Sequence, residues 1–289
     1  MTYFRQRAKS ILRIAIKPGV EQVISHLCND ADDDVKLLGI ALKETLQNDL
    51  STQEKIWIER IEDLRKELCS SSDQISIVDF GAGSPDLGLS EEKMYSGRTI
   101  TRTIGTTCRS ASVPYHESLL LFKLIRKLEP ANCVELGTCL GISASFEAAA
   151  LKLNGSGFLV TLEGAEVLAT LAEGNFNRLG LDNIRVVTGR FQDTLDEVLI
   201  SSKPIDYVFI DGHHDESATL AYFKKIIPFL AKKSLLVFDD ISWSQGMKKA
   251  WKMIIADDRV GISVNLQQFG VCLVVDKPHG QKHIRIPLI

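Results

Sequence analysis

The sequence lacks three features that would point to particular protein classes. No apolar run approaches the roughly 18 residues that a transmembrane helix requires. There is no dense block of Lys and Arg, and 34 basic against 37 acidic residues give a net charge of −3, so no surface suits nucleic acid or an anionic membrane. The basic segment 1–19 lacks the apolar core of a cleaved signal. We therefore expect a cytoplasmic protein that binds neither nucleic acid nor membrane.

The six cysteines also lack a pattern. They form no C-x-x-C pair, and no His lies at a zinc-like spacing from them. Scattered cysteines of this kind are typical of free thiols in a reducing compartment. With 289 residues, of which 45% are hydrophobic and 25% charged, the chain can form one large core or a core with an appended smaller unit.

From residue 132 onward, aliphatic runs alternate with amphipathic stretches of ten to fifteen residues. This alternation is typical of an α/β fold with a mostly parallel sheet and helices on both of its faces. Seven strands are predicted, at 133–138, 157–164, 184–189, 205–212, 234–241, 262–269 and 270–276. The last two strands look antiparallel.

The first part of the chain has a different pattern. Segments 20–30, 33–47 and 54–70 carry apolar residues at helical spacing, which predicts an N-terminal helical extension packed onto the sheet. The following segment 89–116 is rich in Ser, Thr, Gly and Arg and is predicted to be irregular. We expect 1–114 to form the extension and a substrate lid that carries Arg98 and Arg102, and 115–289 to form the catalytic domain. A disordered linker is the alternative to the lid.

Two glycine-rich turns compete for the role of a nucleotide-binding turn: IVDFGAGSPDLG at 77–88 and CVELGTCLG at 133–141. Such a turn works when a helix begins directly after it and points free N–H groups at the ligand. Only the second turn is followed by an amphipathic helix and then by another strand. We therefore expect the second turn to bind, and the first to be a strand end and loop outside the site.

The strand after the second turn ends on Glu163, which lies 22 residues after Gly141. A carboxylate at about this spacing accepts hydrogen bonds from a ribose diol in dinucleotide-binding folds. The turn Glu135-x-Gly137-x-x-x-Gly141 differs, however, from the G-x-G-x-x-G of a dinucleotide site, which disfavours an NAD-dependent dehydrogenase.

With these features the sequence resembles the class I S-adenosylmethionine-dependent methyltransferases. Within that class it resembles the small-molecule O-methyltransferases similar to catechol and caffeoyl-CoA O-methyltransferases. The resemblance covers 115–276 and rests on five blocks in order: VELGTCLGIS, VTLEG, VVTGRFQDTL, VFIDGHH and LVFDDISW. It implies a Rossmann-like methyltransferase fold and S-adenosylmethionine as cofactor. The implied cofactor-binding residues are Glu135, Gly137, Thr138, Gly141, Ser143, Glu163, Gly164, Arg190, Phe191, Gln192 and Asp211.

Three carboxylates follow two neighbouring strands: Asp211 ends one, and Asp239 and Asp240 end the next. Carboxylates in one crevice repel each other unless a cation lies among them, and hard oxygen ligands suit Mg²⁺. The resembling enzymes hold a divalent ion here that chelates two substrate oxygens. They usually have Asp-Asn where this chain has Asp239-Asp240, and a catalytic Lys where it has His214. Helix capping and solvation are the alternatives for these carboxylates.

We therefore expect an enzyme that transfers a methyl group from S-adenosylmethionine to an oxygen of a small molecule, with His214 and Asp211 as catalytic residues and Mg²⁺ on the carboxylates. His213 is the alternative to His214. Trp243 is expected to form a wall of the pocket or to pack, and Tyr115 and His116 to pack.

Three other possibilities stay open. The acceptor could be a carboxylate or peptide group methylated without metal, or the fold could bind a cofactor or partner without catalysis. The chain could also form a homodimer.

Overall fold

The computed structural model describes residues 19–81, 91–276, 278 and 280–286. The described chain begins with three helices: α1 (19–28), α2 (Asp33–Gln47) and α3 (Thr52–Ser70). Asp32 caps α2 by accepting from two backbone N–H groups, and Ser51 forms a capping box with Glu54 at the start of α3. The helices predicted within the first 72 residues are confirmed over the described part.

The segment predicted to be irregular contains regular structure, so that prediction was wrong. Its elements are α4 (Glu91–Ser96), β2 (Arg98–Thr103) and α5 (Ile104–Ala111), and the strand β1 (Gln74–Asp79) precedes it. β1 and β2 pair antiparallel as a separate two-stranded sheet. The reason lies in RTITRT, whose alternation and β-branched residues favour a strand in spite of its polar composition. Residues 82–88 of the first glycine turn lie outside the described part of the chain.

The main sheet has eight strands in the described residues, in the order β10-β8-β9-β7-β6-β3-β4-β5. The strands are β3 (Asn132–Leu136), β4 (Phe158–Glu163), β5 (Ile184–Thr188), β6 (Ile205–Ile210), β7 (Leu230–Phe238), β8 (Val260–Asn265), β9 (Gly270–Val275) and β10 (Lys282–Arg285). All seven predicted strands are present, and β9 pairs antiparallel with β7 and β8. The expected number was too low because β10, with the sequence KHIR, is a short polar edge strand without an apolar run.

Helices cover both faces of this sheet. They are α6 (Tyr115–Leu128), α7 (Ile142–Asn154), α8 (Glu166–Leu179), α9 (Phe191–Ser202), α10 (Glu216–Ile226) and α11 (Gln245–Ile255). α10 ends just before a short 3₁₀ turn (Ile227–Phe229) that contains Pro228, and β7 follows directly. Successive residues of β6 enter opposite cores: Phe209 packs on one face and Val208 on the other. Burial on both faces explains the continuous apolar runs.

The N-terminal helices share a hydrophobic core with the sheet domain, as predicted. Leu38 of α2 and Ile61 of α3 belong to the same buried cluster as Leu120 of α6. The side chain of Lys123 is 2% exposed, and its Nζ lies 2.9 Å from carboxylates of both Glu44 and Glu54. None of the helices in the described ranges is long and apolar enough to cross a bilayer.

Candidate functional site

The direction of winding reverses between β3 and β6, which are neighbours in the sheet. In doubly wound folds, ligands bind at the carboxyl ends of the strands where this reversal opens a crevice. Gly137 follows β3 and Asp211 follows β6, so the predicted glycine turn and the first predicted carboxylate meet at this point.

The glycine turn approaches the loop after β6 so closely that only glycine fits at position 137. Gly137 has φ +112°, and a Cβ at this position would lie 1.9 Å from the carbonyl oxygen of Asp211. Gly141 has φ +79° and packs against the ring of Phe176, where a Cβ would be 2.6 Å away. α7 begins at the next residue. The turn therefore holds the two loops together and directs the start of α7 toward the crevice.

A buried polar network supports the turn from below. The carboxyl group of Glu135 is fully buried and accepts hydrogen bonds from Ser143 Oγ (2.6 Å) and Thr161 Oγ1 (2.5 Å). Burial raises the pKa of Glu135 to about 7. The hydroxyl of Thr138 lies 2.5 Å from that of Thr161 and belongs to the same network. These side chains fix the shape of the turn.

Glu163 connects the end of β4 to the turn. Its carboxylate accepts from the backbone N–H of Cys139 (2.7 Å) and of Ala165 (2.8 Å). Burial raises the pKa of Glu163 to about 7, although the backbone donors act in the opposite direction. The carboxylate is thus held at the edge of the crevice by groups of two loops.

A cavity of about 830 Å³ lies above these strand ends. The predicted site residues that line it are Gly137, Glu163, Gly164, Arg190, Phe191, Asp211, His213, His214, Asp239, Asp240 and Trp243. Four predicted residues do not line the cavity, because they are buried behind the glycine turn or on the side of the turn away from the cavity: Glu135, Thr138, Gly141 and Ser143. Gln192 is exposed outside the cavity, and Tyr115 instead donates to Asn48 (2.6 Å) between helices.

Arg190 and Phe191 form one end of the cavity, at the start of α9. Arg190 pairs with Asp193 (2.6 Å), and its guanidinium lies 4.0 Å from the ring centroid of Tyr95. Phe191 is buried, and Gly212 packs directly against its ring. This end offers a planar cation and an aromatic ring, which suit a heteroaromatic ligand group.

The carboxylates of Asp211 and Asp239 lie together at the adjoining strand ends. Burial, reinforced by the charge of Asp239, raises the pKa of Asp211 well above its usual value. Burial and the charge of Asp240 raise the pKa of Asp239 to about 6. The charge of Asp239 therefore disfavours ionisation of the neighbouring Asp211.

The two adjacent histidines have different surroundings. His214 lies between carboxylates, with Nε2 3.5 Å from Asp211 and Nδ1 3.8 Å from Asp240. His213 is buried and contacts the hydroxyl of Tyr222 (2.9 Å) through Nδ1, and burial lowers the pKa of its imidazole to about 4. Both histidines, like Asp240, have positive φ. Strained backbone of this kind concentrates at ligand sites.

The acidic cluster has the donor chemistry of a magnesium site, since its carboxylate ligands are hard oxygens. As the described side chains are arranged, however, no three His, Cys, Asp or Glu residues converge as ion ligands. The three carboxylates Asp211, Asp239 and Asp240 nevertheless line the same cavity.

The first glycine turn contributes to the same cavity, which the sequence did not predict. Asp79, Phe80 and Gly81 line it, and the ring of Phe80 lies where a Cβ on Gly164 would be 2.7 Å away. The hairpin of β1 and β2 folds back over the strand ends, so a turn outside the parallel sheet reaches the site. The alternation in RTITRT was the signal that could have predicted this hairpin.

Comparisons with known proteins agree with this geometry. A family model described as a methyltransferase domain matches residues 134–241. A catechol O-methyltransferase of Niastella koreensis is 31% identical over 132 residues, which are 45% of this chain and 58% of that relative, less than two thirds of its length.

Solved structures share the fold. An O-methyltransferase from Bacillus cereus, solved in complex with SAH, is 25% identical, with a TM-score of 0.50 over 57% of this chain and 83% of that one. A methyltransferase from Geobacter sulfurreducens is 17% identical, with a TM-score of 0.50 over 60% and 85% of the two chains. The predicted α/β architecture is confirmed.

Proposed function

We propose that this chain, whose methyltransferase domain is related to the catechol and caffeoyl-CoA O-methyltransferases, transfers a methyl group from S-adenosylmethionine to an oxygen of a small molecule. The observation that carries the proposal is the single cavity lined by both Glu163 and Asp211, next to Gly137. A carboxylate suited to ribose and a cluster suited to an acceptor hydroxyl thus lie on one crevice.

The residues of the site divide into two groups. Glu163 would accept hydrogen bonds from the ribose hydroxyls, and Arg190 and Phe191 would border the adenine. Glu135, Thr138, Gly141 and Ser143 would act indirectly, by fixing the turn. S-adenosylmethionine supplies a methyl group that its sulfonium makes electrophilic.

His214 is the proposed base, because it reaches both the cavity and two carboxylates. The acceptor hydroxyl would give its proton to the imidazole of His214 while its oxygen bonds to the methyl carbon and the carbon–sulfur bond breaks. Asp211 and Asp240 would orient the ring and stabilise the imidazolium. The residues therefore align the reactants and remove one proton.

Asp211, Asp239 and Asp240 would hold Mg²⁺, since their carboxylates line one cavity and offer the hard oxygen ligands that this ion prefers. Bound there, the ion would lower the pKa of an acceptor hydroxyl. The rival is metal-independent methylation of a carboxylate or peptide group, with His214 or water as base. Chelator sensitivity of the transfer distinguishes the two.

The segment from α4 to α5 would act as a substrate lid, because its hairpin covers the cavity. Backbone hydrogen exchange in β2 tests the lid when S-adenosylhomocysteine and the acceptor are added together. Slower exchange would support the lid, and unchanged exchange would contradict it. The division at residue 114, the homodimer and the cytoplasmic location stay predictions from the sequence.

Calorimetry with S-adenosylmethionine tests cofactor binding. Gly137→Ala should abolish it, since the new methyl group would collide with the Asp211 carbonyl. Gly174→Ala is the matched control, because nothing lies within 4 Å of its added Cβ. A wild-type protein that does not bind the cofactor would refute the proposal. Binding without transfer to any catechol, phenol or carboxylate, with or without Mg²⁺, would favour a non-catalytic protein of this fold.

A further inference from the structure

The hairpin of β1 and β2 turns its charged side chains toward the cavity. Alternate residues of a strand point to opposite faces. The face that lines the cavity carries Ile77, Asp79, Arg98, Ile100 and Arg102. The opposite face is exposed and carries the uncharged residues Gln74, Ser76, Val78, Thr99 and Thr101, of which Val78 also borders the cavity. Solvation alone favours the reverse arrangement, with the charged groups outside, so the inward arginines require another explanation.

One of these arginines is neutralised within the hairpin, and the other is not. Arg98 lies directly opposite Asp79 in the register, and its Nη2 is 3.1 Å from the Asp79 carboxylate. Arg102 lies opposite Ile75, and no carboxylate of the described chain forms an ion pair with it. Arg102 therefore presents a cation on the cavity wall with its five N–H donors open.

A second guanidinium borders the same cavity. Arg109, in the last turn of α5, also lines the cavity. Its Nη1 donates to the backbone carbonyl of Cys69, which anchors the side chain without neutralising it. Two arginines that line one cavity and keep their charge suit an anion, because guanidinium groups bind carboxylate through paired hydrogen bonds.

The rest of the cavity determines how an anionic acceptor would lie. Its acid group cannot rest beside Asp211, Asp239 and Asp240, because like charges repel. Ile77 and Ile100, which face each other in the register, offer apolar surface next to the arginines. These surfaces fit an acceptor in one orientation. Its hydroxyl would lie at the strand ends, its ring on the isoleucines and its acid group on the arginines.

We propose that the acceptor is a hydroxylated aromatic acid, and that Arg102, assisted by Arg109, binds its carboxylate and determines specificity. This inference rests on the proposed methyl transfer but adds a requirement, a negative charge on the acceptor, that methyl transfer alone does not impose. Arg102 and Arg109 lie outside the segment that the methyltransferase-domain model matches, so the charge selection belongs to the added hairpin and helix.

The test compares an acid with its neutral isostere, 3,4-dihydroxybenzoate with 3,4-dihydroxybenzamide, as methyl acceptors. The wild-type protein should have the lower KM for the acid. Arg102→Gln should reduce kcat/KM for the acid by about 10- to 100-fold and leave the amide within about twofold. Arg109→Gln should have a smaller effect of the same kind, and Arg102→Lys should keep part of the preference. Arg185→Gln, an exposed arginine outside the cavity, is the matched control.

The inference would be overturned if Arg102→Gln lost kcat/KM equally for the acid and the amide, or lost it for neither. Methylation of the acid on its carboxylate would overturn it as well. Each variant is first titrated with S-adenosylmethionine, and unchanged cofactor affinity shows that the site is folded. If no acceptor is methylated, calorimetry of the benzoate and the benzamide in the presence of S-adenosylhomocysteine decides separately. Weaker binding of the benzoate alone to Arg102→Gln would support the arginine site even then, whereas equal binding of both compounds would refute it.

Discussion

At the scale of single residues, Glu163 links the glycine turn to the proposed ribose site. Its carboxylate is held by two backbone N–H groups, and burial raises its pKa to about 7. Ribose hydroxyls donate better to an ionised carboxylate than to a protonated one. Cofactor binding should therefore lower this pKa and release a proton near neutral pH.

We expect the affinity for S-adenosylmethionine to rise about tenfold between roughly pH 6 and 8, as Glu163 ionises. Glu163→Gln should remove this pH dependence and weaken binding at the higher pH by about 1 to 3 kcal/mol. Calorimetry in buffers of different ionisation enthalpy measures both the affinity and the released proton. An affinity of the wild type that does not change with pH would contradict the assignment.

Substitution of Asp240 tests whether the acidic cluster binds a metal ion. If the three carboxylates hold Mg²⁺, Asp240→Asn should keep the metal dependence of transfer, because it restores the Asp-Asn pair of the resembling enzymes. Asp239→Ala and Asp211→Ala should lose metal dependence and most of the transfer, with nearly unchanged cofactor affinity. Transfer rates with Mg²⁺ and with chelator measure this. Full activity of the wild type in excess chelator would refute the metal and leave the deprotonation to His214.

At the scale of elements, Lys123 joins α6 to the N-terminal helices. Its buried ammonium lies between Glu44 and Glu54. Lys123→Met should lower the free energy of unfolding by about 1.5 to 3 kcal/mol, because two largely buried carboxylates lose a shared cation while Glu44 keeps Lys127 and Glu54 keeps Arg126. Lys127→Met is the control: the side chain of Lys127 is 28% exposed and, within the described residues, pairs with Glu44 alone, so its loss should be below about 1 kcal/mol. Denaturant unfolding of both variants gives the two values. Equal losses would show that burial of the pair is not decisive.

Some elements were predictable because local pattern and tertiary structure agree. The acid-ended strands and the second glycine turn carry their own signals, and their parallel arrangement brings Glu163, Asp211 and Asp239 to one edge. The hairpin was not predicted because RTITRT is mostly polar, so its alternation of side chains does not show as an alternation of apolar and polar residues. Its contact with Gly164, through Phe80, depends on tertiary packing that no local pattern describes. Nor could spacing reveal that Glu135 lies beneath the cavity instead of on its wall.

At the scale of the whole molecule, stability should depend on the protonation of buried carboxyl groups. Burial raises the pKa of Glu135 from 4.5 to about 7. The folded state thus binds this proton more tightly than the unfolded state does. The resulting stabilisation is fully present below about pH 4.5 and is lost as the pH rises through about 7.

We therefore expect Glu135→Gln to flatten the fall in unfolding free energy between roughly pH 5 and 8, by up to about 3 kcal/mol. Glu173→Gln, an exposed carboxylate on α8, should keep the wild-type slope. Denaturant unfolding at several pH values provides the comparison. Parallel curves for the wild type and Glu135→Gln would show that this carboxyl group does not titrate in that range.

Methyl transfer to oxygen is the central activity proposed for the whole molecule, and isotopic labelling tests it most directly. The protein is incubated with S-adenosylmethionine that carries a deuterated methyl group and with 3,4-dihydroxybenzoate, and the products are identified by mass spectrometry and NMR. We predict S-adenosylhomocysteine and an equal amount of a ring methyl ether that carries the label, both lost in the Gly137→Ala variant. A protein that binds the cofactor but gives no labelled ether with this or any other hydroxyl acceptor, with or without Mg²⁺, would contradict the proposed function.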